Sequence, residues 1–420
     1  MNITIRLQKK RPNRLMSSAL VIGMATLLAS VQSFAVTPDQ AKRIHERIAG
    51  TTPSAEMLAD MEAATDGVAA AYLAMDNQYD DSFYNVTLKN MAAPWASREG
   101  DVFADLNDYI ATVIGFVKDD LDFRGILSDD ILYTGSDALG AAVAPYSPSN
   151  NQHYLDIEAQ IGLNGEVGVS LKDDLVVRTQ SQLVPALAAA NGKPQGASGV
   201  ITSRAGAKAF LIAGTNRAAF RFTLINHLCL DLEQVHDVTR IPDRIRQDVS
   251  RSPGGDSRIF LNTCIGCHNG MDPMAQAMAY HNYFVADIVA DPTGEGGQVE
   301  YTPGTVQSKY FNNDTSFPPG YITPDDSWAN YWRAGKNSAL GWDTERDASG
   351  TGISAMFAEL AHTRAFASCH VNRVFKAMCL RDPVGSDEGD LISGMIDGFM
   401  VEGNLKDVFA QSADQCKGVQ

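Results

Sequence analysis

Apolar residues recur every three or four positions along much of this chain, which is the spacing of one helix face. The clearest stripe predicts an amphipathic helix and consists of Val102, Phe103, Leu106, Tyr109, Ile110, Val113, Ile114 and Val117. Aromatic and aliphatic residues at this spacing are typical of helices that pack in a protein core. We therefore expect this segment to support folding rather than chemistry.

Helix signals also appear just after residue 35 and near the end of the chain. Thr37, Pro38 and Gln40 match an N-cap, a proline in the first turn and a capping-box glutamine, and Gly50 marks the end of that helix. Apolar helical patterns return at 354–362, 366–380 and 391–400. Together these patterns predict a mainly α fold.

The middle of the chain is less regular. Turn-forming residues interrupt it at 147–151 and 191–194, and residues 166–177 suggest a short hairpin turning at 172–174. Residues 293–326 are rich in Gly, Pro, Asn and Asp and predict a long loop. Three of the four tryptophans follow this loop, where we expect them to pin a loop or to pack on a cofactor: Trp328, Trp332 and Trp342.

A basic segment, an apolar segment and a small-residue cleavage site follow one another at the start of the chain. Five basic residues precede position 15, residues 15–31 are mostly apolar, and Ser33-Phe34-Ala35 supplies small residues. This order predicts a signal peptide of the general secretory route, and polar residues within the apolar segment argue against a membrane anchor. We expect an exported protein that is soluble after cleavage, either periplasmic or secreted.

The charge of the mature chain is strongly negative. Removing the five basic residues of the signal leaves 29 basic and 50 acidic residues, a net charge of −21. This balance argues against nucleic acid or an anionic membrane as a partner, because both are negatively charged. It suits a redox partner protein with a basic docking surface, and the solubility of an exported protein explains it equally well.

Cys264, Cys267 and His268 form a C-x-x-C-H motif, the pattern at which c-type haem is attached. Two cysteines three apart reach the two vinyl groups at one porphyrin edge, and the histidine becomes the proximal iron ligand. A redox dithiol, half a zinc site and a disulfide are the other interpretations. The sequence shows neither the βαβ setting of a thioredoxin-like dithiol nor a second pair of zinc ligands. We predict one covalent haem c.

A second axial ligand must reach the iron from the other face of the ring. Met271 and Met274 follow His268 too closely, so a later segment is expected to supply this ligand. We predict Met356, because the glycines of residues 350–352 allow a close approach. The alternatives are an empty position, His362 and His370. The other ring nitrogen of His268 is expected to bond a backbone carbonyl or a water.

Four cysteines remain after haem attachment, namely Cys229, Cys369, Cys379 and Cys416. An even number in an oxidising compartment predicts two disulfides. Cys369 and Cys379 are predicted to share one helix, where they lie about 15 Å apart and cannot bond each other. Cys229 therefore pairs with either Cys369 or Cys379, and Cys416 pairs with the other.

Several short blocks occur in a fixed order along the chain. They are Arg204-Ala205-Gly206, a stretch ending in Leu228-Cys229, the haem motif with Met271-Asp272-Pro273 behind it, residues 365–369 and 375–381 and, more distantly, 47–58 and 122–131. This order resembles the planctomycete-type secreted cytochromes, a family whose modules have no characterised function. An acidic segment at 231–256 replaces the proline-rich stretch expected there. The resemblance implies a mostly helical, exported protein with a single haem and no established substrate.

These patterns predict a signal peptide at 1–35, a helical N-terminal domain at 36–140, a mixed and helical region at 141–239, and a cytochrome c-like helical haem domain with long loops at 240–420. Within the last region, the polar residues 240–255 are either a linker or a loop over the haem edge.

The first functional hypothesis is electron transfer between periplasmic partners. The second is a haem-dependent oxidoreductase, or a haem protein that binds a small ligand, using the large N-terminal region. A scaffold with a vestigial haem is the third.

Overall fold

Helices make up most of the computed structural model, which describes residues 36–162, 168–212, 214–245, 257–310 and 321–418. The prediction of a mainly α fold is confirmed. In chain order the α-helices are α1 Pro38–Ile48, α2 Ala55–Glu62, α3 Gly67–Asp76, α4 Lys89–Ala92, α5 Asp108–Lys118, α6 Gln152–Glu158, α7 Leu171–Asp174, α8 Gln180–Leu183, α9 Arg204–Phe210, α10 Arg217–Thr223, α11 Ser257–Ile259, α12 Ile265–Ala275, α13 Ile353–Ala361, α14 Arg364–Cys379, α15 Gly385–Glu402 and α16 Leu405–Gln415.

Tighter and wider helical turns connect these elements. The π-helical turns are Phe83–Leu88, Leu224–Leu228 and Phe260–Cys264. The 3-10 turns are Ala93–Ala96, Phe123–Leu127, Asp137–Ala142, Pro185–Leu187, Gly199–Ile201, Gln276–Met278, Ser308–Tyr310, Tyr331–Arg333 and Gly335–Leu340.

The strands of the described residues form three small antiparallel pairs. Their pairings are β1 Ile131–Gly135 with β2 Leu175–Thr179, β3 His281–Phe284 with β4 Gln298–Tyr301, and β5 Ser327–Ala329 with β6 Ser349–Thr351. The hairpin predicted at 166–177 is wrong, although residues 166 and 167 lie outside the described residues. Ser170 caps the helical turn α7 by accepting a hydrogen bond from the Asp173 amide, so the expected hairpin turn is helical and β2 pairs with the distant β1.

The predicted first helix is confirmed in its boundaries. The Thr37 hydroxyl accepts a hydrogen bond from the Gln40 amide, and the Gln40 side chain accepts one from the Thr37 amide. These two bonds satisfy donors that a helix start otherwise leaves open. Helix α1 ends at Ile48, and Gly50 then adopts a φ of 75°.

Helix α5 contains most of the strongest apolar stripe, but it is shorter than the stripe. Every residue from Asp108 to Val117 is buried, whereas Val102 and Phe103 are exposed and precede the helix. The side chain of Asn107 accepts a hydrogen bond from the Ile110 amide and so caps the helix at this point. The apolar period alone did not reveal this boundary.

The last helix, α16, packs against the N-terminal part of the described chain, including α1 and α3. The ring centroids of Phe83 and Phe409 are 5.1 Å apart, and Lys406 Nζ lies 3.2 Å from Asp76 Oδ2. One cluster of buried apolar residues extends from Val36 to Ala413, within a unit that spans Ala35–Gln420. The predicted division at residues 140 and 239 stays a prediction.

Two disulfides link helix α14 to other elements. Cys229 bonds Cys369 and Cys379 bonds Cys416, which is the first of the two pairings left open by the sequence. Cys369 and Cys379 both lie on α14, as predicted. The predicted signal peptide, residues 1–35, lies outside the described residues. Within the described part of the chain, no helix has the length and apolar character needed to cross a membrane.

Candidate haem site

The two cysteines of the C-x-x-C-H motif lie at the start of helix α12. A π-helical turn ends at Cys264, and the helix then continues from Ile265 through Pro273 to Ala275. Because Cys264 and Cys267 are three apart, their thiols lie on the same face of the chain. Both are free and partly exposed, whereas the other four cysteines form the disulfides. Two thiols are therefore open to covalent attachment.

The surroundings of Cys267 differ from those of a reactive redox dithiol. Its Sγ lies 3.5 Å from the Leu232 carbonyl, to which it donates. Burial, followed by the proximity of Cys264 and the acidic Asp231 and Glu233, raises the pKa of the Cys267 thiol. Dithiols that exchange with disulfides generally have a lowered pKa, because the thiolate is the nucleophile. The environment of Cys267 opposes that interpretation.

His268 is oriented by a carboxylate rather than by a backbone carbonyl or a water. Its Nδ1 lies 3.0 Å from Oδ1 of Asp272, which follows one helical turn later and is fully buried. A hydrogen on Nδ1 donated to this carboxylate leaves the Nε2 lone pair as the metal-binding position. The expected partner of Nδ1 was therefore wrong, and the spacing of four residues was the sequence signal that could have identified Asp272.

Arg217 of helix α10 holds the same carboxylate from the other side. Its Nε lies 2.9 Å from Asp272 Oδ1 and its Nη2 lies 3.1 Å from Oδ2. This two-pronged contact fixes the plane of the carboxylate, and with it the ring of His268. Arg217 is 51 residues before His268 in the chain, so no local pattern indicated this contact.

Two glycines of the motif region allow close approach of large rings. A Cβ at Gly266 would collide with the His236 ring, and a Cβ at Gly270 would collide with the indole of Trp332. His236 therefore lies against the backbone between the two cysteines. Sequence reasoning missed this histidine, because its segment carries no recognisable ligand pattern.

The segment that precedes the motif in the chain wraps around helix α12. The Asp237 amide donates to the Gly266 carbonyl at 2.8 Å, and Asn269 Nδ2 donates to the carbonyls of Asp237 at 2.6 Å and Arg240 at 3.2 Å. The start of the polar connector is thus a loop packed on the motif helix. Residues 246–255 of that connector lie outside the described residues.

The tryptophans after the long loop pin that part of the chain to the motif helix. Trp332 is fully buried against Gly270, and its ring centroid lies 5.5 Å from that of Phe220. Trp342 Nε1 donates to the carbonyls of Trp332 at 3.1 Å and Asn337 at 2.9 Å. Of the two roles considered for this cluster, Trp332 and Trp342 have the packing of a pinned loop.

Met356 is fully buried on helix α13, which packs against the turns Phe123–Leu127 and Gln276–Met278. Its assignment as the distal iron ligand stays a prediction. His362 is the C-cap of α13, and its Nδ1 donates to the Ala358 carbonyl at 2.8 Å.

His370 is fully buried, and its Nε2 lies 3.3 Å from Nδ1 of His227. The other ring nitrogen of His227 lies 2.7 Å from the Tyr109 hydroxyl. His362 and His370 thus each have one ring nitrogen in a contact within the protein, and both stay alternatives to Met356.

Large apolar side chains near the motif remain exposed. Leu261 and Ile259 immediately precede Cys264, and Val238 and Ile241 flank the loop that packs on Asn269. All four have at least 40% of their surface accessible. Clusters of exposed apolar residues generally mark a place where something else binds.

The motif by itself supplies three possible zinc ligands, Cys264, Cys267 and His268. Structural zinc is held by four side chains, usually cysteine and histidine. In the parts of the chain that the structure describes, no group of three or more His, Cys, Asp or Glu is placed to hold a metal ion.

Comparison of the chain with models of protein families, with curated proteins and with solved structures found no match.

Proposed function

We propose that this chain is an exported c-type cytochrome that carries one covalent haem and transfers electrons. The observation that carries the proposal is the state of the C-x-x-C-H motif. Its two thiols are free and partly exposed, and the neighbouring imidazole is held by a buried carboxylate. Exposed apolar side chains beside the motif add support, because a porphyrin would cover apolar surface.

Each residue of the motif has a defined part in this proposal. Cys264 and Cys267 would form the two thioethers, and His268 would bind iron through Nε2. Asp272 and Arg217 would orient the imidazole of His268. A bound haem supplies reversible one-electron chemistry, and its potential depends on the axial ligands and on burial.

The partner and the compartment follow from the same proposal. The predicted signal peptide and the two disulfides fit an oxidising compartment outside the cytoplasm. The acidic mature chain suits a redox partner with a basic docking surface, since opposite charges accelerate encounter. We propose that the resemblance to the planctomycete-type secreted cytochromes reflects this common design, with a cytochrome c-like haem domain in the second half of the chain.

Reduction of a small ligand at the iron is the second candidate, and Asp272 favours it. A carboxylate hydrogen-bonded to a ligating histidine raises the basicity of the ring. A strongly donating proximal ligand pushes electron density towards the iron and favours cleavage of an O–O bond. The two candidates differ in whether the sixth position of the iron is filled or open.

Haem attachment is tested by expressing the full chain with the cytochrome c maturation system and measuring haem that survives acid–acetone extraction. We expect one haem for each chain. The double variant Cys264→Ser/Cys267→Ser should lose covalent haem, and His268→Ala should incorporate it poorly. His236→Ala is the matched control, because His236 also contacts the motif and should be dispensable for attachment. A colourless wild-type protein that binds zinc would contradict the proposal.

Spectra with and without carbon monoxide separate the two candidates. A reduced spectrum that carbon monoxide leaves unchanged supports the electron carrier, because both axial positions are then occupied. A shifted spectrum supports ligand binding or peroxide reduction, which turnover with hydrogen peroxide would then establish.

A further inference from the structure

A second candidate site lies between the start of helix α13, strand β3 and the segment before strand β6. It is a cavity of about 470 Å³, a size common for sites that bind small molecules. The residues that define its chemistry are His281, Arg346, Asp129, Asp326 and the first turn of α13. Neither the haem motif nor Met356 contributes to its wall.

His281 presents a buried hydrogen-bond acceptor without a partner. The side chain is 1% exposed, and its Nε2 donates to the Gly196 carbonyl at 2.8 Å. The proton on Nε2 leaves Nδ1 as a lone-pair acceptor, since burial lowers the pKa of His281 to about 4 and keeps the ring neutral. Within the described residues Nδ1 has no hydrogen-bond partner. A buried acceptor of this kind is costly unless a ligand donates to it.

Arg346 and helix α13 present donors to the same cavity. The Nε atom of Arg346 is buried and has no hydrogen-bond partner among the described residues. Helix α13 is nine residues long and begins after Gly352, where no side chain caps its first turn. Gly352, Ile353, Ser354 and Ala355 line the cavity, so the positive end of the helix dipole faces it.

The two acidic groups of the wall are partly compensated. Asp326 Oδ1 lies 3.3 Å from Lys193 Nζ, and Asp129 Oδ1 accepts a hydrogen bond from the Ser128 hydroxyl at 3.2 Å. Burial raises the pKa of Asp129 and so favours its neutral form. Both carboxyl groups can still accept hydrogen bonds from a hydroxylated ligand.

His281 and Arg346, each with a buried nitrogen that has no hydrogen-bond partner among the described residues, therefore both line this cavity. The Arg346 guanidinium and the uncapped start of helix α13 are complementary to a carboxylate. His281 Nδ1 and Asp129 are complementary to a hydroxyl group that donates a hydrogen bond. We propose that this cavity binds a small hydroxycarboxylate, either a short hydroxy acid or a sugar acid. Its carboxylate contacts Arg346 and the first turn of α13, and one hydroxyl donates to His281 Nδ1.

Isothermal titration of the full mature protein at pH 7 tests this proposal with two matched pairs of probes. Gluconate and sorbitol are open chains that differ at the carboxylate, and malate and succinate differ by one hydroxyl. We expect gluconate or malate to bind saturably. Within each pair, the probe that lacks the recognised group should bind at least about tenfold more weakly, the effect of one lost buried hydrogen bond.

Two variants locate the binding. Arg346→Gln should lower the affinity for the hydroxycarboxylate at least about tenfold. Ala355→Trp, a change at an exposed position of the wall, should block entry while leaving the circular dichroism spectrum unchanged. Arg178→Gln is the control, because Arg178 pairs with Asp137 beside a different cavity and should have no effect. The proposal is overturned if neither gluconate nor malate binds. It is equally overturned if sorbitol matches gluconate, or if both cavity variants bind like the wild type.

Discussion

Nδ1 of His268 lies 3.0 Å from Oδ1 of Asp272, one turn further along helix α12. The carboxylate is fully buried and is also held by Arg217. In the proposed haem site this chain of contacts determines how strongly the imidazole donates electrons to iron, because a hydrogen bond to a carboxylate increases the basicity of the ring. The relationship predicts opposite changes of the haem reduction potential for substitutions at Asp272 and at Arg217.

Asp272→Asn should raise the reduction potential of the haem, because the weaker hydrogen bond stabilises the oxidised iron less. Arg217→Gln should lower it, because the carboxylate becomes more basic without the guanidinium. We expect shifts on the order of 60 mV, a tenfold change in relative stability for one electron. Redox titration with optical detection measures both, and the haem content of each variant is the control. Shifts of the same sign would indicate general disruption of the site.

Each single cysteine variant should keep one thioether. Cys264→Ser or Cys267→Ser leaves one vinyl group unreacted, so the absorption maximum of the pyridine haemochrome should move to longer wavelength. Loss of His268 instead removes an iron ligand and should give a high-spin spectrum with both thioethers intact in the haem that is incorporated. An identical haemochrome in the wild type and in both cysteine variants would contradict two-point attachment.

Met356→Ala should remove the near-infrared band expected from sulfur bonded to iron, if Met356 is the distal ligand. The change also empties a fully buried position, which costs about 2–5 kcal/mol of unfolding free energy. Met378→Ala is the matched control, since Met378 is also buried, on helix α14. It should cost similar stability and leave the band in place. A band that persists in Met356→Ala refutes the ligand assignment.

Reduction of the disulfides should destabilise the fold. Loop closure over 37 residues for Cys379–Cys416 and 140 residues for Cys229–Cys369 corresponds to about 4 and about 5 kcal/mol in the chain-entropy description. Urea unfolding of the variants Cys416→Ser/Cys379→Ser and Cys229→Ser/Cys369→Ser measures the two effects separately. Peptide mapping without reduction should recover both cross-links from the native protein, and neither should include Cys264 or Cys267.

The protein should lose stability as the pH falls from about 6.5 towards 4. Burial lowers the pKa of His227 to about 3 and that of His281 to about 4. Between these values and the unfolded value near 6.5, the unfolded chain binds more protons, so acid favours unfolding. One pKa unit corresponds to about 1.4 kcal/mol, so protonation linked to His281 should lower the unfolding free energy by on the order of 3 kcal/mol.

His227→Gln tests the contribution of one of these rings. Glutamine keeps a polar group near the Tyr109 hydroxyl but does not titrate, so the variant should show a flatter dependence of unfolding free energy on pH below 6.5. Equal slopes in the wild type and in His227→Gln would refute the prediction.

Local sequence patterns determined those structural features that arise from residues close together in the chain. Thr37 and Gln40 cap helix α1 because both bonds form within one turn. The closing helices and the placement of Cys369 and Cys379 on one helix follow from a period of 3.6 residues. The C-x-x-C-H motif predicts haem attachment from its spacing alone, and this stays a prediction. Asp272 stands at a helical spacing from His268 and was within reach of the same reasoning.

Tertiary structure decided the contacts between residues far apart in sequence. The choice of Cys369 as the partner of Cys229, the pairing of β2 with β1, and the contact of Arg217 with Asp272 each join distant segments. The cavity between His281 and Arg346 arises in the same way. Such contacts depend on how helices pack after they form, and packing is set by the summed fit of many side chains rather than by any local period.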